Sequence, residues 1–278
     1  MSATVKLFVI TRFNVYFSEA NFAKDKAGKL TRTDEWLQRR FELFEEFCLP
    51  SLKVQTDQNF EWLILFSETT PSLFKDRIFS WANEFPNLKP IFMYDGENIK
   101  KRVIKEIKTR CGSSETHVIT ARLDNDDAYH RSMIDRIRAE FTGQTNEFLN
   151  FPIGAQMDIE QGIMTRVEKM SNPFMARVEQ LDSHLATVMD GNHKDVESLG
   201  VIRNIYSSPA WLQIIHQGNQ VNRLNTDDLL LELDLLAEFG IIRRFPLVRS
   251  KVLGIMIKNL LYVRPRRFAG RLKRSLLG

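Results

Sequence analysis

The chain has 278 residues, 43% of them hydrophobic and 27% charged, with 39 Lys/Arg against 35 Asp/Glu for a net charge of +4. That composition excludes a disordered, collagen-like or low-complexity chain, and the length suits one large domain or two small ones. The charge is unevenly divided: residues 241–278 carry eleven Lys/Arg and no Asp/Glu, leaving 28 basic and 35 acidic residues, a net −7, for the rest.

In chain order, Val5–Ile10 is a short β-branched and aromatic run that predicts a buried strand, ending at Thr11-Arg12-Phe13-Asn14. Thr33–Leu49 predicts a helix, because Trp36, Leu37, Arg40, Phe41, Phe44 and Phe47 recur at helical spacing; Pro50 is expected to interrupt it, with a short turn to follow. Phe60–Phe66 predicts a second strand, closed by Ser67-Glu68-Thr69-Thr70-Pro71. A helix over Ser72–Phe85, capped by Ser72, and a strand over Lys89–Tyr94 come next. Then come a helix over Glu97–Arg110, a fourth strand over His117–Leu123 and a helix over Ser132–Phe141. Alternating strands and helices with short connections predict a mostly parallel α/β sheet covered on both faces. Ligands then gather at the carboxyl ends of the strands, where Thr11-Arg12, Ser67-Glu68 and Asp124–Asp127 fall.

The second half is less regular. A strand is expected near Phe148–Pro152, a hairpin over Gly154–Val167 and a strand over Trp211–Ile215; Phe174–Leu181 is ambiguous. Thr226 is expected to N-cap an apolar helix that runs to Phe239 and ends at Gly240. There is no internal repeat and no dividing linker, so residues 1–250 read as one domain and 251–278 as a basic amphipathic extension.

The two cysteines, Cys48 and Cys111, form neither a disulfide framework nor a metal-ligand spacing and are expected to be reduced. The first residues lack the charged and apolar regions of a signal peptide, and no apolar stretch reaches the roughly 20 residues of a membrane span. A cytoplasmic location is expected, with peripheral contact at the inner face of the cytoplasmic membrane.

Arg122-Leu123-Asp124-Asn125-Asp126-Asp127 carries the most chemical information. Three carboxylates in four residues repel unless a cation or solvent screens them. Side chains alternate at a strand end, so Asp124 and Asp126 can point the same way, and two carboxylates plus phosphate oxygens suit Mg2+ or Mn2+. A solvated acidic loop is the competing reading.

The chain resembles the GT-A nucleotide-sugar glycosyltransferases, whose DxD motif follows the fourth strand. Leu49-Pro50-Ser51-Leu52-Lys53-Val54-Gln55-Thr56 followed by Asn59–Leu65, and Thr226-Asp227-Asp228 followed by leucines, resemble further motifs of their inverting branch in the same order. Thr11–Asn14, Leu49–Leu52, the Asp124–Asp127 turn and Trp211-Leu212-Gln213 with His216 and Asn219 resemble the bacterial putative rhamnosyltransferase family over about residues 8–250. Ser67-Glu68 departs from the Asp pair common at the second strand, and Asp227 is shorter than the usual Glu.

The resemblance implies a GT-A-like (Rossmann-like) fold and a metal-dependent, inverting transfer of a sugar, plausibly rhamnose, from a nucleotide-sugar donor such as dTDP-rhamnose to a cell-envelope glycan or lipid-linked acceptor. It implies Mn2+ or Mg2+ on Asp124, Asp126 and His216, with His193 as a rival to His216. Asp228, or else Asp227, would take the acceptor proton, and Thr11, Arg12, Glu68, Arg122 and Asp124 would bind the nucleotide sugar. Trp211 reads as core first and acceptor contact second. The basic end, with Lys251 and Arg264–Arg274, is expected to touch anionic membrane rather than nucleic acid, for which the acidic body is unsuited. The altered Ser67-Glu68 keeps open a catalytically silent partner in polysaccharide assembly, and acidic strand-end turns also serve Mg2+-dependent nucleotidyltransferases.

Overall fold

A computed structural model describes residues 3–15, 33–182, 184–190, 196–217, 223–227 and 229–263. Strand β1 (Val5–Arg12) lies between β2 (Glu61–Ser67) and β4 (His117–Arg122), and β3 (Leu88–Met93) extends the sheet beyond β2, all parallel. On the other side, β9 (Ala176–Gln180) pairs antiparallel with both β4 and β6 (Asn146–Asn150), and β10 (Val201–Asn204) adds to β6 in parallel. The order of this seven-stranded sheet is β10-β6-β9-β4-β1-β2-β3. The expected mostly parallel α/β sheet is therefore present, and the ambiguous Phe174–Leu181 segment is its antiparallel strand.

Alternation along the central strands explains why they are continuously apolar. Leu7, Val9, Trp62, Ile64 and Phe66 enter a core with Phe41, Phe44 and Trp81, while Phe8, Ile10, Leu63 and Leu65 face Val103 and Ile107 on the opposite side. Both faces are covered, so most positions are apolar, and the few polar ones, such as Thr11 and Thr120, are fully buried.

A second sheet, ordered β12-β8-β7-β11-β5, comprises β5 (Ala128–Tyr129), β7 (Ile153–Asp158), β8 (Ile163–Glu168), β11 (Trp211–Ile215) and β12 (Leu230–Leu231). The expected hairpin is β7–β8. Close approach of backbone to indole explains its glycine: a Cβ at Gly154 would lie 2.2 Å from the Trp211 ring. Trp211 itself is core, stacked on Phe174 at 4.5 Å and donating to the Phe151 carbonyl at 2.8 Å.

Helices α1 (Asp34–Leu43), α2 (Leu49–Lys53), α3 (Ser72–Glu84), α4 (Ile99–Arg110) and α5 (Met133–Ala139) connect these strands. Three local expectations are corrected. Pro50 does not interrupt the first helix, because a π turn over Phe44–Cys48 joins α1 to α2 and absorbs the missing donor. Ser72 does not cap α3; Pro71 holds that position without a side-chain bond. Residues 226–239 are not one α-helix: Leu230–Leu231 pair with β8, and Leu233–Phe239 form a 3-10 segment that ends at Gly240 with φ +72°. Pairing on the β8 edge overrides the helical pattern, while the glycine stop falls where expected. Helix α6 (Arg249–Lys258) continues through a π turn at Asn259–Val263, with none of its residues buried.

Candidate active site

The acidic turn leaves β4 at the carboxyl edge of the sheet, and four buried contacts fix it. The Asn125 amide donates to the Phe13 carbonyl at 3.1 Å, and the Tyr129 hydroxyl donates to the Arg122 carbonyl at 2.7 Å. The Asp127 N–H closes the turn on the Asp124 carbonyl at 3.2 Å, and the Cys48 thiol of the first helix reaches that same carbonyl at 3.6 Å. Asn14 ties the neighbouring strand ends together, accepting from the Ser67 N–H and donating to the Thr70 hydroxyl, each at 3.0 Å.

The three carboxylates are in different environments. Asp126 is buried, and its Oδ2 receives Arg40 Nη1 at 2.7 Å and lies 3.0 Å from His216 Nε2. Burial opposes its ionisation, but the Arg40 charge and the His216 bond override burial and hold the carboxyl well below the usual range. Asp127 is equally buried and accepts from the Ile214 N–H at 2.9 Å. Burial, and then the negative charges of Asp126 and Asp124, push its carboxyl well above the usual range. Asp124 is more exposed and takes both the Nε and Nη2 of Arg122, at 3.2 and 3.1 Å.

Asp126 and His216 are thus brought into contact with each other, while Asp124 is directed to Arg122. The Asp126–His216 separation of 3.0 Å is that of a direct hydrogen bond. Among the described residues no group of three or more His, Cys, Asp or Glu is arranged to hold a metal ion. The Asp124 carboxylate is engaged by the Arg122 guanidinium.

Arg12 and Arg122 end adjacent strands. Burial, and then the Arg122 charge, lower the Arg12 guanidinium to about 10, with Asp124 opposing. Two neighbouring cations at a strand edge favour an anion. Glu68 is half-exposed and pairs with Lys75 at 3.4 Å. Thr11 is fully buried, and its hydroxyl accepts from Trp62 Nε1 at 2.9 Å.

A buried polar bridge runs from the acidic turn to the Asp227 segment. Ile214, the donor to Asp127, neighbours Gln213 on β11, whose Oε1 accepts from Lys169 Nζ and Gln156 Nε2, each at 2.8 Å. Gln156 Oε1 accepts the Asn225 N–H at 2.8 Å, and Asn225 Oδ1 accepts the Asp227 N–H at 3.0 Å. The Asp227 carboxylate lies 2.5 Å from Lys258 of α6. Asp228, His193 and Asn219 lie outside the described residues.

Sequence reading missed Arg40 and this glutamine bridge. Arg40 had a signal, since it occupies the apolar stripe Trp36-Leu37-Arg40-Phe41; its guanidinium stands 5.3 Å from the Trp36 ring. Gln213 falls in the Trp211-Leu212-Gln213 motif, but Gln156 had no signal, because the facing glutamines are recognisable only once β7 and β11 pair.

Among solved structures, S. aureus TarS 1–349 in complex with UDP-GlcNAc is similar at 12% identity and a TM-score of 0.46, covering 92% of this chain and 71% of that one. A longer S. aureus TarS structure matches at 11% identity and a TM-score of 0.45, covering 76% of this chain and 37% of that one. The chain thus spans little more than a third of that protein's length. A nucleotide-diphospho-sugar transferase of Desulfovibrio desulfuricans G20, itself titled putative, matches at 8% identity and a TM-score of 0.38, covering 78% and 83%. No curated protein matches. The family model described as putative rhamnosyl transferase matches residues 6–228, most of the chain and all of the acidic turn. The chain therefore belongs to the putative rhamnosyl transferase family, a family of glycosyltransferases.

Proposed function

We propose that the chain is a metal-dependent, inverting glycosyltransferase that moves rhamnose from dTDP-rhamnose onto a cell-envelope glycan. The observation that supports this reading is the contact of Asp126 with His216, at 3.0 Å, in the turn that follows β4, whose last residue Arg122 ends the strand next to the one that Arg12 ends. Asp126 and His216 would hold Mn2+ or Mg2+. When bound, the ion offsets charge on the departing nucleoside diphosphate. Arg122, with its fork now on Asp124, and Arg12 bind the phosphates as the donor enters. Asp124, released from Arg122, accepts from the nucleotide's ribose. The acceptor hydroxyl gives its proton to the Asp227-Asp228 pair.

Location follows from the carboxyl end. Leu253, Met256, Ile257, Leu260 and Leu261 form an exposed stripe at helical spacing, within a region that carries eleven Lys/Arg and no acid. Among the described residues no helix is long and apolar enough to cross a membrane. The stripe and its cations suit the surface of an anionic membrane. Release of a nucleoside diphosphate from a panel of nucleotide sugars, with and without Mn2+, tests the activity. Release of pyrophosphate would identify a nucleotidyltransferase instead.

A further inference from the structure

Lys169 is a cation that the proposed donor contacts leave unused. It follows β8, and its backbone is fixed at the carboxyl end of β6. Its N–H donates to the Pro152 carbonyl at 2.8 Å, and its own carbonyl accepts from Asn172 Nδ2 at 3.1 Å. Asn172 is fully buried and also bonds Asn150, the last residue of β6, at 2.7 Å. The Lys169 ammonium stands 5.9 Å from the centre of the Trp211 ring and donates to Gln213 Oε1 at 2.8 Å. Among the described residues it has no other hydrogen-bond acceptor and no carboxylate as ion-pair partner. An ammonium has three N–H donors, so two remain for a ligand. The residue is partly exposed, and its burial lowers the ammonium below its usual range, with Asp127 opposing. A desolvated cation held by one neutral oxygen is completed by an anion.

Its place in the fold says which reactant brings that anion. Strands β4 and β6 both run antiparallel to β9, so they end at the same edge, and Leu149 and Ala121 are level because both pair with Ala176. In the sheet order β6 lies on one side of β4, while β1, which ends in Arg12, lies on the other. The strand spacing puts the end of β6 roughly 10 Å from that of β4 and roughly 14 Å from that of β1. Lys169 therefore stands away from the two arginines assigned to the donor's phosphates. In the other direction, the bridge from Gln213 through Gln156 and Asn225 leads to Asp227, in the segment assigned to the acceptor proton. The transferred rhamnose is uncharged, which leaves the acceptor as the reactant with an anion to offer. We infer that Lys169 binds a carboxylate or phosphate group of the acceptor, and that the acceptor is an acidic glycan. The inference rests on the transferase reading above and adds the acceptor's charge to it.

The test is a ligand-observed NMR titration of the full chain with glucuronate, glucose 6-phosphate and glucose. Mg2+ and saturating dTDP are present throughout, so that Arg12 and Arg122 are already occupied. At least one anionic sugar is expected to bind about tenfold more tightly than glucose. Preference for glucuronate identifies a carboxylate on the acceptor, and preference for glucose 6-phosphate a phosphate. Lys169→Met keeps most of the aliphatic stem and should remove the preference, whereas Lys169→Arg should retain part of it. An unchanged Tm confirms that the variants fold, and Lys169→Gln gives the same readout should the methionine variant not fold. Equal binding of the three sugars, absence of binding by both anionic sugars, or a preference that survives loss of the Lys169 charge overturns the inference. The thermal shift produced by dTDP in the same samples separates the two readings. If dTDP binds while the anionic preference is missing, only the Lys169 assignment falls; if a Lys169-dependent preference appears while neither dTDP nor any nucleotide sugar binds, the transferase reading falls.

Discussion

Arg40 Nη1 lies 2.7 Å from Asp126 Oδ2, the same oxygen that faces His216. A cation from the first helix thus occupies one side of the carboxylate proposed to hold the metal. The contact is largely shielded, with Arg40 and Asp126 side chains 16% and 12% exposed. A buried carboxylate that loses its partner becomes costly, so Arg40→Leu should destabilise the metal-free protein by about 3 kcal/mol. The same change removes a competitor for Asp126. Mn2+ binding, read by electron paramagnetic resonance, should tighten, and Mn2+ should raise the variant's Tm more than the wild type's. Equal Mn2+ affinity in the two proteins would show that Arg40 and metal do not share Asp126.

Gln156 links the sheet to the Asp227 segment through the Asn225 N–H. Gln156→Leu leaves that donor and the Gln213–Lys169 pair without their central partner. Acceptor turnover should fall about tenfold, the equivalent of ~1.4 kcal/mol, while donor KM stays unchanged. Gln156→Glu retains the acceptor oxygen for Asn225 and should recover part of the loss. A change confined to donor KM would place the bridge at the nucleotide instead.

His130 gives a pH signature away from the site. Burial, and then the Arg136 charge, lower its imidazole to about 4 from an ordinary 6.5, although Glu238 opposes this. Its Nδ1 also accepts the Ser132 N–H at 3.2 Å, a bond available only to the unprotonated nitrogen. Between about pH 6.5 and 4 the unfolded chain binds a proton at this position that the folded chain does not. Stability from this residue is therefore complete above pH 6.5, declines as pH falls to 4 and is level below that. His130→Asn should flatten the urea-unfolding free energy in that window, and an unchanged slope would contradict the assignment.

Gly154→Ala places a methyl group against the Trp211 indole, which is also stacked on Phe174. The ring has no room to retreat, so the variant should lose about 1–3 kcal/mol in chemical denaturation. A neutral result would mean that the β7–β11 pair can separate at this point.

The parallel half of the fold was readable because β1, β2 and β4 are apolar on both faces and the intervening helices carry clean 3.6-residue stripes. The acidic turn was readable because clustered carboxylates after a strand are expensive without a cation. The 226–239 segment was misread because a leucine-rich run suits a helix and a strand edge equally, and only the exposed edge of β8 decides between them. Pro50 was misread because a π turn leaves no mark in side-chain spacing. At the site, Asp126 and His216 are 90 residues apart in sequence, and their meeting depends on β11 running parallel to β7. One residue of register separates Thr11, buried against Trp62, from Arg12 at the strand end.

The most direct measurement is nucleoside diphosphate release from dTDP-rhamnose and a panel of other nucleotide sugars, with Mn2+ and after chelation, in the wild type and in Asp126→Ala. The account predicts release that depends on Mn2+, falls at least a hundredfold in Asp126→Ala and leaves cooperative unfolding intact. Release that is insensitive to both chelation and the Asp126→Ala change would contradict it.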